Sequence, residues 1–444
     1  MKKIIIGILL STTVCLPQAK AQQYTLNDCV NIALENNAKI KNGKLDMQIA
    51  DQMKKEAFTN YFPQISAGGT IFTANRGLLQ KDIDLSPIGG IIGQMGMDPI
   101  ALGIPSSLPV ELLKNGKMAY ITAIQPVFVG GQIVNGNKLA EVGKEVSKLQ
   151  FNLSENEVRL KTEKYFRQIV SLQEKMRTIE ESESQLASIH KDVKGAVDAG
   201  IAVSNDLLRV ELERQKVASK RLTVENALRV SKLLLGQQMG LGISNFNIVS
   251  ETFANIESPL QHYISWEEGL DRRTETQLLD KGVEASKLEK RIAIGKQMPS
   301  VGVGAGYLYH DLLDQNTDGG VVFAKVSIPI SGWWGGSHSI KRERLKEQKA
   351  INTRQESREL MAVEIEAKWS ALQEAYSQIL LMKKSVESSA ENLRLNRDYY
   401  NAGTASLSDL LEAQTFVQQN SDGYTEACTS YYNSLTEYLQ VTGR

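Results

Sequence analysis

Two carboxylates, Asp409 and Glu412, stand three residues apart beyond an Ala402-Gly403 turn. Residues three apart on a helix share a face. Where several copies of such a face converge on a narrow aperture, the ring of acids binds cations and sets which ions pass. Asp206 holds the matching place in the first half, as far beyond Gly200 as Asp409 is beyond Gly403. The plainer meaning of any single one of these acids is a solvated residue on a helix surface.

Catalytic chemistry is poorly served by this chain. His190, His262, His310 and His338 lie far apart with no recurrent ligand spacing, so no metal site is expected. There is no phosphate-cradling glycine motif, no nucleophile elbow and no zinc signature. Lys191 and Lys194 flank the first turn and read as ordinary helix surface. The expectation is a protein without enzymatic activity and without a cofactor.

The elements that position these residues follow from composition and pattern. The 444 residues balance 51 Lys+Arg against 51 Asp+Glu, which argues against a nucleic-acid binder. The balance hides an asymmetry at the N-terminus. Met1-Lys2-Lys3, the apolar run Ile4 to Leu10 and Ala19-Lys20-Ala21 have the layout of a secretory signal peptide over 1–21. Its removal leaves 48 basic and 51 acidic residues. Cys29 and Cys428 then remain, either as a disulfide, should the two ends of the chain meet, or as buried thiols. No later stretch is apolar for long enough to form a transmembrane helix.

The first repeat is expected over 22–236. It opens with helix to about Tyr61 and has strands at about 64–75 and 118–129. Long helices follow at about 133–198 and 204–235. Between the strands, 78–117 reads as a long Gly- and Pro-containing loop. Residues 237–262 read as a linker or equatorial segment. The second repeat is expected over 263–444, with helix at about 263–296 and strands at about 299–309 and 320–330. Its long helices fall at about 339–400 and 407–439. Spacings of three and four among Val158, Tyr165, Ile169, Leu172 and Met176 mark a helical seam.

The two halves superpose by spacing. Leu34 and Pro63 match Leu270 and Pro299 at an offset of 236. Pro126, Gly200 and Asp206-Leu207-Leu208 match Pro329, Gly403 and Asp409-Leu410-Leu411 at an offset of 203. The fall in offset has the size of the additional segment within 78–117. Such order and spacing point to an internal duplication.

The strands alternate apolar and small or polar residues, which suits a half-buried sheet or a lipid-facing wall. Four strands cannot close a barrel alone, so a membrane role requires several chains; three would supply twelve strands. Trp333-Trp334, beside Gly335-Gly336, fits either a membrane-interface pair or a buried hinge cluster.

At this point the chain resembles the outer-membrane efflux proteins, the TolC-like trimeric channel-tunnels of Gram-negative export systems. The resemblance runs through Tyr24-Thr25-Leu26, Ala33-Leu34-Glu35-Asn36-Asn37 and Tyr61-Phe62-Pro63. Its most specific part is Tyr399 to Gln414, similar to the family's periplasmic end, with a first-half copy from Ala199-Gly200 to Leu208.

The resemblance implies a mainly α fold with a small membrane β-barrel portion, in which four strands per protomer complete a twelve-stranded barrel of a homotrimer. Long helices would continue it as a tunnel into the periplasm. It implies residence in the outer membrane, in contact with its lipid. It also implies a periplasmic adaptor (a membrane fusion protein) and an inner-membrane transporter of the RND, ABC or a similar class, with no nucleic acid as partner. The gate would comprise Tyr400, Asp409, Glu412 and Asp206. Glu412 replaces the family's usual aspartate, and Ala405 stands where the best-known member has an arginine that forms a constraining link. The adaptor would meet the helix turns at Gly200, Ile201, Val203, Gly403, Thr404, Ala405 and Leu407, residues equally suited to packing within the turns. The competing reading is a periplasmic coiled-coil adaptor or structural protein, which accounts for the long helices but not for four symmetrically placed strands.

Overall fold

The computed structural model describes residues 23–444 except 97–98, 100–102, 104, 113, 244–245, 250–252, 254–255 and 313–314. The signal peptide expected over 1–21 lies outside the described residues. The element order is β1 (Gln23–Tyr24), α1 (Leu26–Asn36), α2 (Ala38–Thr59), β2 (Gln64–Thr73), β3 (Leu79–Asp84), α3 (Ser86–Gln94), β4 (Ser107–Leu112), β5 (Asn115–Val129), α4 (Gln132–Asp198) and α5 (Ser204–Gln238). It continues with β6 (Asn247–Ile248), a 3-10 turn (Pro259–His262), α6 (Trp266–Arg272), α7 (Thr274–Gly295), β7 (Ser300–Leu312), β8 (Gln315–Ser327), α8 (Gly332–Asn401) and α9 (Leu407–Val441). At 1.5 Å per residue, α4 and α8 are each about 100 Å long.

The chain divides into two compact units. One comprises residues up to Met47, Val146–Asp280 and Thr353–Arg444. Its helices begin and end on local chemistry. Thr25 caps α1 in a capping box: the Asp28 N–H donates to its hydroxyl, and the Asp28 carboxylate accepts from the Thr25 N–H at 3.0 Å. Helix α5 ends at Gly240 and α9 at Gly443, both with φ 72°. The Leu241 N–H donates to the Gly236 carbonyl at 2.9 Å and the Gly240 N–H to the Gln237 carbonyl at 3.0 Å. The Arg444 and Gly443 N–H groups repeat the pattern on the Leu439 and Gln440 carbonyls, at 2.8 and 3.0 Å. This closure requires a left-handed residue, the conformation glycine adopts without strain.

Both of these glycines also admit a neighbouring backbone. A Cβ on Gly240 would meet the Asn36 carbonyl oxygen at 2.7 Å, and one on Gly443 would meet the Arg272 carbonyl oxygen at 2.9 Å. Gly240 and Gly443 are 203 residues apart; Asn36 and Arg272 are 236 apart. The same two offsets recur in the core. Phe166 and Trp369, Ile169 and Leu372, and Leu235 and Tyr438 form buried pairs of positions at 203. The first member of each packs in a cluster with Cys29, Ala33 and Ile40, the second in a cluster with Leu270, Cys428 and Tyr431. Cys29 and Cys428 are thus buried in different clusters, as thiols. Where α1 gives way to α2, Asn37 is buried and donates to the Gln238 carbonyl at 2.8 Å. Arg273, 236 residues on, is buried between α6 and α7 and pairs with Glu275 and Glu364.

The other unit comprises Gln48–Glu145 and Lys281–Asn352. Its centre is an antiparallel sheet in the order β2-β5-β7-β8. A bulge at Val127 interrupts the β5–β7 register beside Pro126, which has no N–H to give to the ladder. Glycines on the sheet are roofed by rings directly across the ladder: Gly68 by Tyr120, Gly116 by Phe72 and Gly304 by Phe323. Each ring fills the space where a side chain would stand, so the small residue specifies its partner. Gly130, at φ 61°, and Gly295 touch backbone to backbone at the end of β5 and of α7. Lys144 and Lys55 pair with Asp51, and Lys290 pairs with Glu347.

These strands do not make a barrel. β2 and β8 are the edges of an open sheet among the described residues, and four strands curl too little to bring one edge back to the other. The expected membrane β-barrel portion is corrected accordingly: the fold is mainly α-helical, with an open four-stranded sheet and two short two-stranded pairings, β1–β6 and β3–β4. No helix among the described residues is long and apolar enough to cross a membrane.

The segment 78–117 also differs from the expected loop. It folds back as the β3–β4 ribbon, with α3 between the strands. Pro87 stands in the first turn of α3, where its missing N–H costs nothing, and the Ser86 N–H donates to Asp84 Oδ1 at 2.8 Å.

Candidate functional site

The candidate site is built from two helix turns in the first unit, α4 to α5 and α8 to α9. Gly200 and Gly403 close α4 and α8, each at φ 73°. The Ile201 N–H donates to the Ala196 carbonyl at 2.8 Å and the Gly200 N–H to the Val197 carbonyl at 2.9 Å. In the second turn the Thr404 N–H donates to the Tyr399 carbonyl at 2.9 Å and the Gly403 N–H to the Tyr400 carbonyl at 3.0 Å. Nothing stands within 4 Å of a Cβ built on either glycine, so here it is the backbone alone that asks for glycine.

A single apolar cluster holds the turns together. Val193 of α4, Val210 of α5, Leu393 of α8 and Leu407 and Leu410 of α9 are all buried in it. Leu407 is only 5% exposed, so it belongs to the packing and not to the surface. Tyr400 lies against the cluster. Burial pushes its phenol up from the ordinary range, and the carboxylates of Asp206 and Asp192 add to the shift. Tyr400 thus feels the charge of Asp206, from the other half of the chain.

Asp409 is the third residue of α9 and is bound into a capping box. Its carboxylate accepts from the Ser406 N–H at 3.0 Å and from the Ser406 hydroxyl at 2.7 Å. The hydroxyl hydrogen bond, then the backbone one, holds its carboxyl below the usual range. Asp206 is the third residue of α5, but Val203 at the cap position has no side-chain acceptor to return the favour. Glu412 is exposed one turn beyond Asp409. It borders a groove of about 420 Å³ that Lys216 and Lys220 also line.

Arg209 is part of this site and went unread in the sequence. It stands in α5 where the 203 offset places Glu412 in α9, so one half carries Asp206 and Arg209 and the other Asp409 and Glu412. Its guanidinium donates to the Ser408 hydroxyl, which joins the two turns directly. The repeat offset, carried one residue beyond Leu208, would have found it.

The outer surface of the turns is apolar. Ile201 is 83% exposed, and Val203, Leu208 and Tyr399 are exposed as well. The Thr404 hydroxyl is turned back to the Tyr399 carbonyl at 3.1 Å, and the Ala405 N–H donates to the same oxygen at 3.3 Å. Ala405 is half-buried. Trp333 and Trp334 belong to the other unit, in the first turn of α8. Trp333 donates its indole N–H to the Gln297 carbonyl at 2.9 Å, while Trp334 is 82% exposed. Among the described residues no group of acids, histidines and cysteines has the arrangement of a metal site.

Residues 273–444 match the family model described as outer membrane efflux protein. The family resemblance read from Tyr399 to Gln414 therefore holds over that stretch. No curated protein sequence matches the chain. Solved structures share its fold nearly throughout. The Campylobacter jejuni CmeC outer membrane channel aligns at a TM-score of 0.76 with 15% identity, over 94% of this chain and 85% of its own. The outer membrane protein VceC of Vibrio cholerae aligns at 0.74 with 12% identity, over 94% of this chain and 96% of its own. The open state of the Neisseria gonorrhoeae MtrE outer membrane channel aligns at 0.74 with 13% identity, over 94% and 88%.

Proposed function

We propose that this protein is an outer-membrane channel-tunnel of a tripartite efflux or type I secretion system. It gives exported molecules a passive route to the exterior, without enzymatic activity of its own. The observation that carries the reading is the shared fold with outer-membrane channels over 94% of the chain, together with the family match over 273–444. The working form is a homotrimer in the outer membrane of a Gram-negative bacterium, with helices reaching into the periplasm. Its partners are a periplasmic adaptor and an inner-membrane transporter, of the RND, ABC or a similar class, which supplies the energy. The chain arose by duplication, and the matched positions at 203 and 236 support that reading.

Within this proposal the paired turns form the periplasmic gate. Asp409 and Glu412 from three copies line the aperture, while Asp206 and Tyr400 couple the two halves of each copy beside it. Ile201, Val203, Gly200, Gly403, Thr404 and Ala405 supply the surface an adaptor hairpin meets. The joint of Arg209 to Ser408 takes the place of the constraining link that Ala405 cannot make.

The full chain expressed in a Gram-negative host tests the proposal. The expected result is recovery with the outer membrane as a trimer stable in mild detergent, giving discrete conductance steps in a planar bilayer. A monomer in the soluble periplasmic fraction, with no conductance, overturns it.

A further inference from the structure

The unit that holds the four-stranded sheet contains a cavity of about 640 Å³. Ile124 and Pro126 of β5, Ser300 and Gly302 of β7, and Lys325 and Ser327 of β8 line it. Each pair stands two apart on its strand, and the ladder sets Pro126 opposite Gly302 and Gly302 opposite Lys325, so they share one face of the sheet. Ala57 of α2, Ile133 and Gly136 of α4 and Ile292 of α7 wall it on the helix side. All of these residues belong to the same compact unit. The volume lies within the range of small-molecule pockets, about 300–1,000 Å³.

Two glycines keep this space open. Gly304 of β7 is roofed by Phe323, but Gly302, two residues before it, is not covered by Lys325 across the ladder: the atoms nearest a Cβ built on Gly302 belong to Gln125 and Ile124. Gly136 lies inside α4, where glycine is less stabilising than alanine. It is not among the glycines of positive φ, and nothing stands within 4 Å of a Cβ built on it. Neither the backbone nor close packing asks for glycine there, and its effect is to leave the cavity unfilled.

The lining has one charge. Lys325 is its only charged residue, and no acid among the described residues pairs with it. Gln64, Ser300 and Ser327 add amide and hydroxyl donors that can serve an oxyanion. Ile124, Val129, Ile133, Ile292 and Val301 supply the apolar remainder. A lone ammonium beside aliphatic walls is complementary to a single anionic head on an apolar body, since a charge-assisted hydrogen bond is the strong one. A cationic ligand would meet the ammonium with no carboxylate to offset the repulsion.

We infer that this cavity binds an amphipathic monoanion of small-molecule size, a carboxylate or sulfonate head on a hydrocarbon body. Lys325 holds the head, and Ile124, Ile133 and Ile292 surround the body. The inference concerns the sheet unit alone and stands apart from the channel reading.

The test photolabels the full chain, in a neutral maltoside detergent, with an eight-carbon carboxylic acid that carries a diazirine in its chain. The alcohol and the amine of the same length serve as comparisons. The acid should label peptides from 124–136 and 292–302 several-fold more than either, and excess octanoate should prevent it. Lys325→Met should bring labelling by the acid down to the level of the alcohol, while Lys325→Arg keeps it. Gly136→Leu occupies the cavity from the helix side with a better helix former, so it should unfold no earlier than the native chain and should abolish labelling of these peptides by all three probes. The Lys325 variants change an exposed side chain and keep the test decisive should Gly136→Leu lose stability. Equal labelling by acid, alcohol and amine overturns the inference, as does labelling by the acid that survives Lys325→Met undiminished. Displacement of the acid by phosphatidylglycerol, where octanoate has no effect, assigns the cavity to an anionic lipid and overturns the small-acid occupant.

Discussion

Asp409 and Ser406 cap each other across the first turn of α9: the Ser406 N–H donates to Asp409 Oδ2 at 3.0 Å, and the Asp409 N–H donates to Ser406 Oγ at 3.3 Å. The bond needs the ionised carboxylate, so the folded chain holds this carboxyl below its unfolded value. Its contribution to stability is fully present above the unfolded value of about 3.9 and is lost as pH falls through the lowered folded value. Thermal unfolding of the native chain and of Asp409→Asn, measured from pH 6 down to pH 2, should show a constant gap above pH 4 that closes below it. Ser406→Ala removes the other half of the box and should cost about 1 kcal/mol. A gap that persists unchanged at pH 2 would show that the carboxylate is not the cap.

The same carboxylate is proposed for the gate, and that proposal has its own test. Asp409→Ala together with Glu412→Ala should weaken the block of single-channel current by divalent cations several-fold, since a ring of acids concentrates cations at a constriction. Block that is unchanged in the double variant would count against the ring and return both residues to the helix surface. Arg209→Ala removes the joint to Ser408 and should raise the resting conductance while leaving cation block in place.

Gly200 and Gly240 have nearly the same backbone, at φ 73° and 72°, and different surroundings. Alanine at Gly200 meets nothing within 4 Å and should lose only the backbone term, about 1–2 kcal/mol. Alanine at Gly240 meets the Asn36 carbonyl oxygen at 2.7 Å and must also displace the end of α1. Urea unfolding should therefore rank Gly240→Ala clearly below Gly200→Ala. Equal midpoints would mean that α1 does not pack on the end of α5 as described.

Glu437 of α9 lies between Lys164 of α4, at 2.5 Å, and Lys368 of α8, at 2.6 Å. Burial pushes its carboxyl up, but the two ammonium groups outweigh burial and hold it below the ordinary range. The sign is that of a depressed acid: the contribution is full above about pH 4.3 and is lost as pH falls through the folded value. Glu437→Gln should destabilise by about 1 kcal/mol at neutral pH after solvent screening is allowed for, and by less at pH 3. A penalty that grows on acidification would contradict the pairing.

Much of the local chemistry was legible in the chain itself. Long stretches without proline, with apolar residues three and four apart, can satisfy their backbone only as helix, and the fold is mainly α. Glycine at 200 and 403 marks turns because a left-handed residue must be nearly free of side chain. The strands were visible in their alternation, since a period of two is set by the backbone. That four strands are too few to close followed from their number, but their order, β2-β5-β7-β8, did not, because it is set by the fold and not by residue type. The β3–β4 ribbon was hidden because Gly- and Pro-containing sequence masks a six-residue ladder whose partners, such as Ile83 and Leu108, are brought together only by the fold.

The residues proposed for the gate divide along the same line. Asp409 and Glu412 sit at a helix start by sequence alone, since their spacing and the preceding glycine are local facts. That Asp409 answers to Ser406 is local as well, a capping box three residues long, whereas the charge of Asp206 acting on Tyr400 and the reach of Arg209 to Ser408 are outcomes of tertiary packing. A bond 199 residues apart in the chain, Arg209 to Ser408, is chosen by which helices share the Val193, Val210 and Leu410 cluster, and no local propensity encodes that choice. Helix and turn follow from short-range sterics and hydrogen bonding. Pairing at a distance follows from burial of apolar area, which only the assembled helices decide.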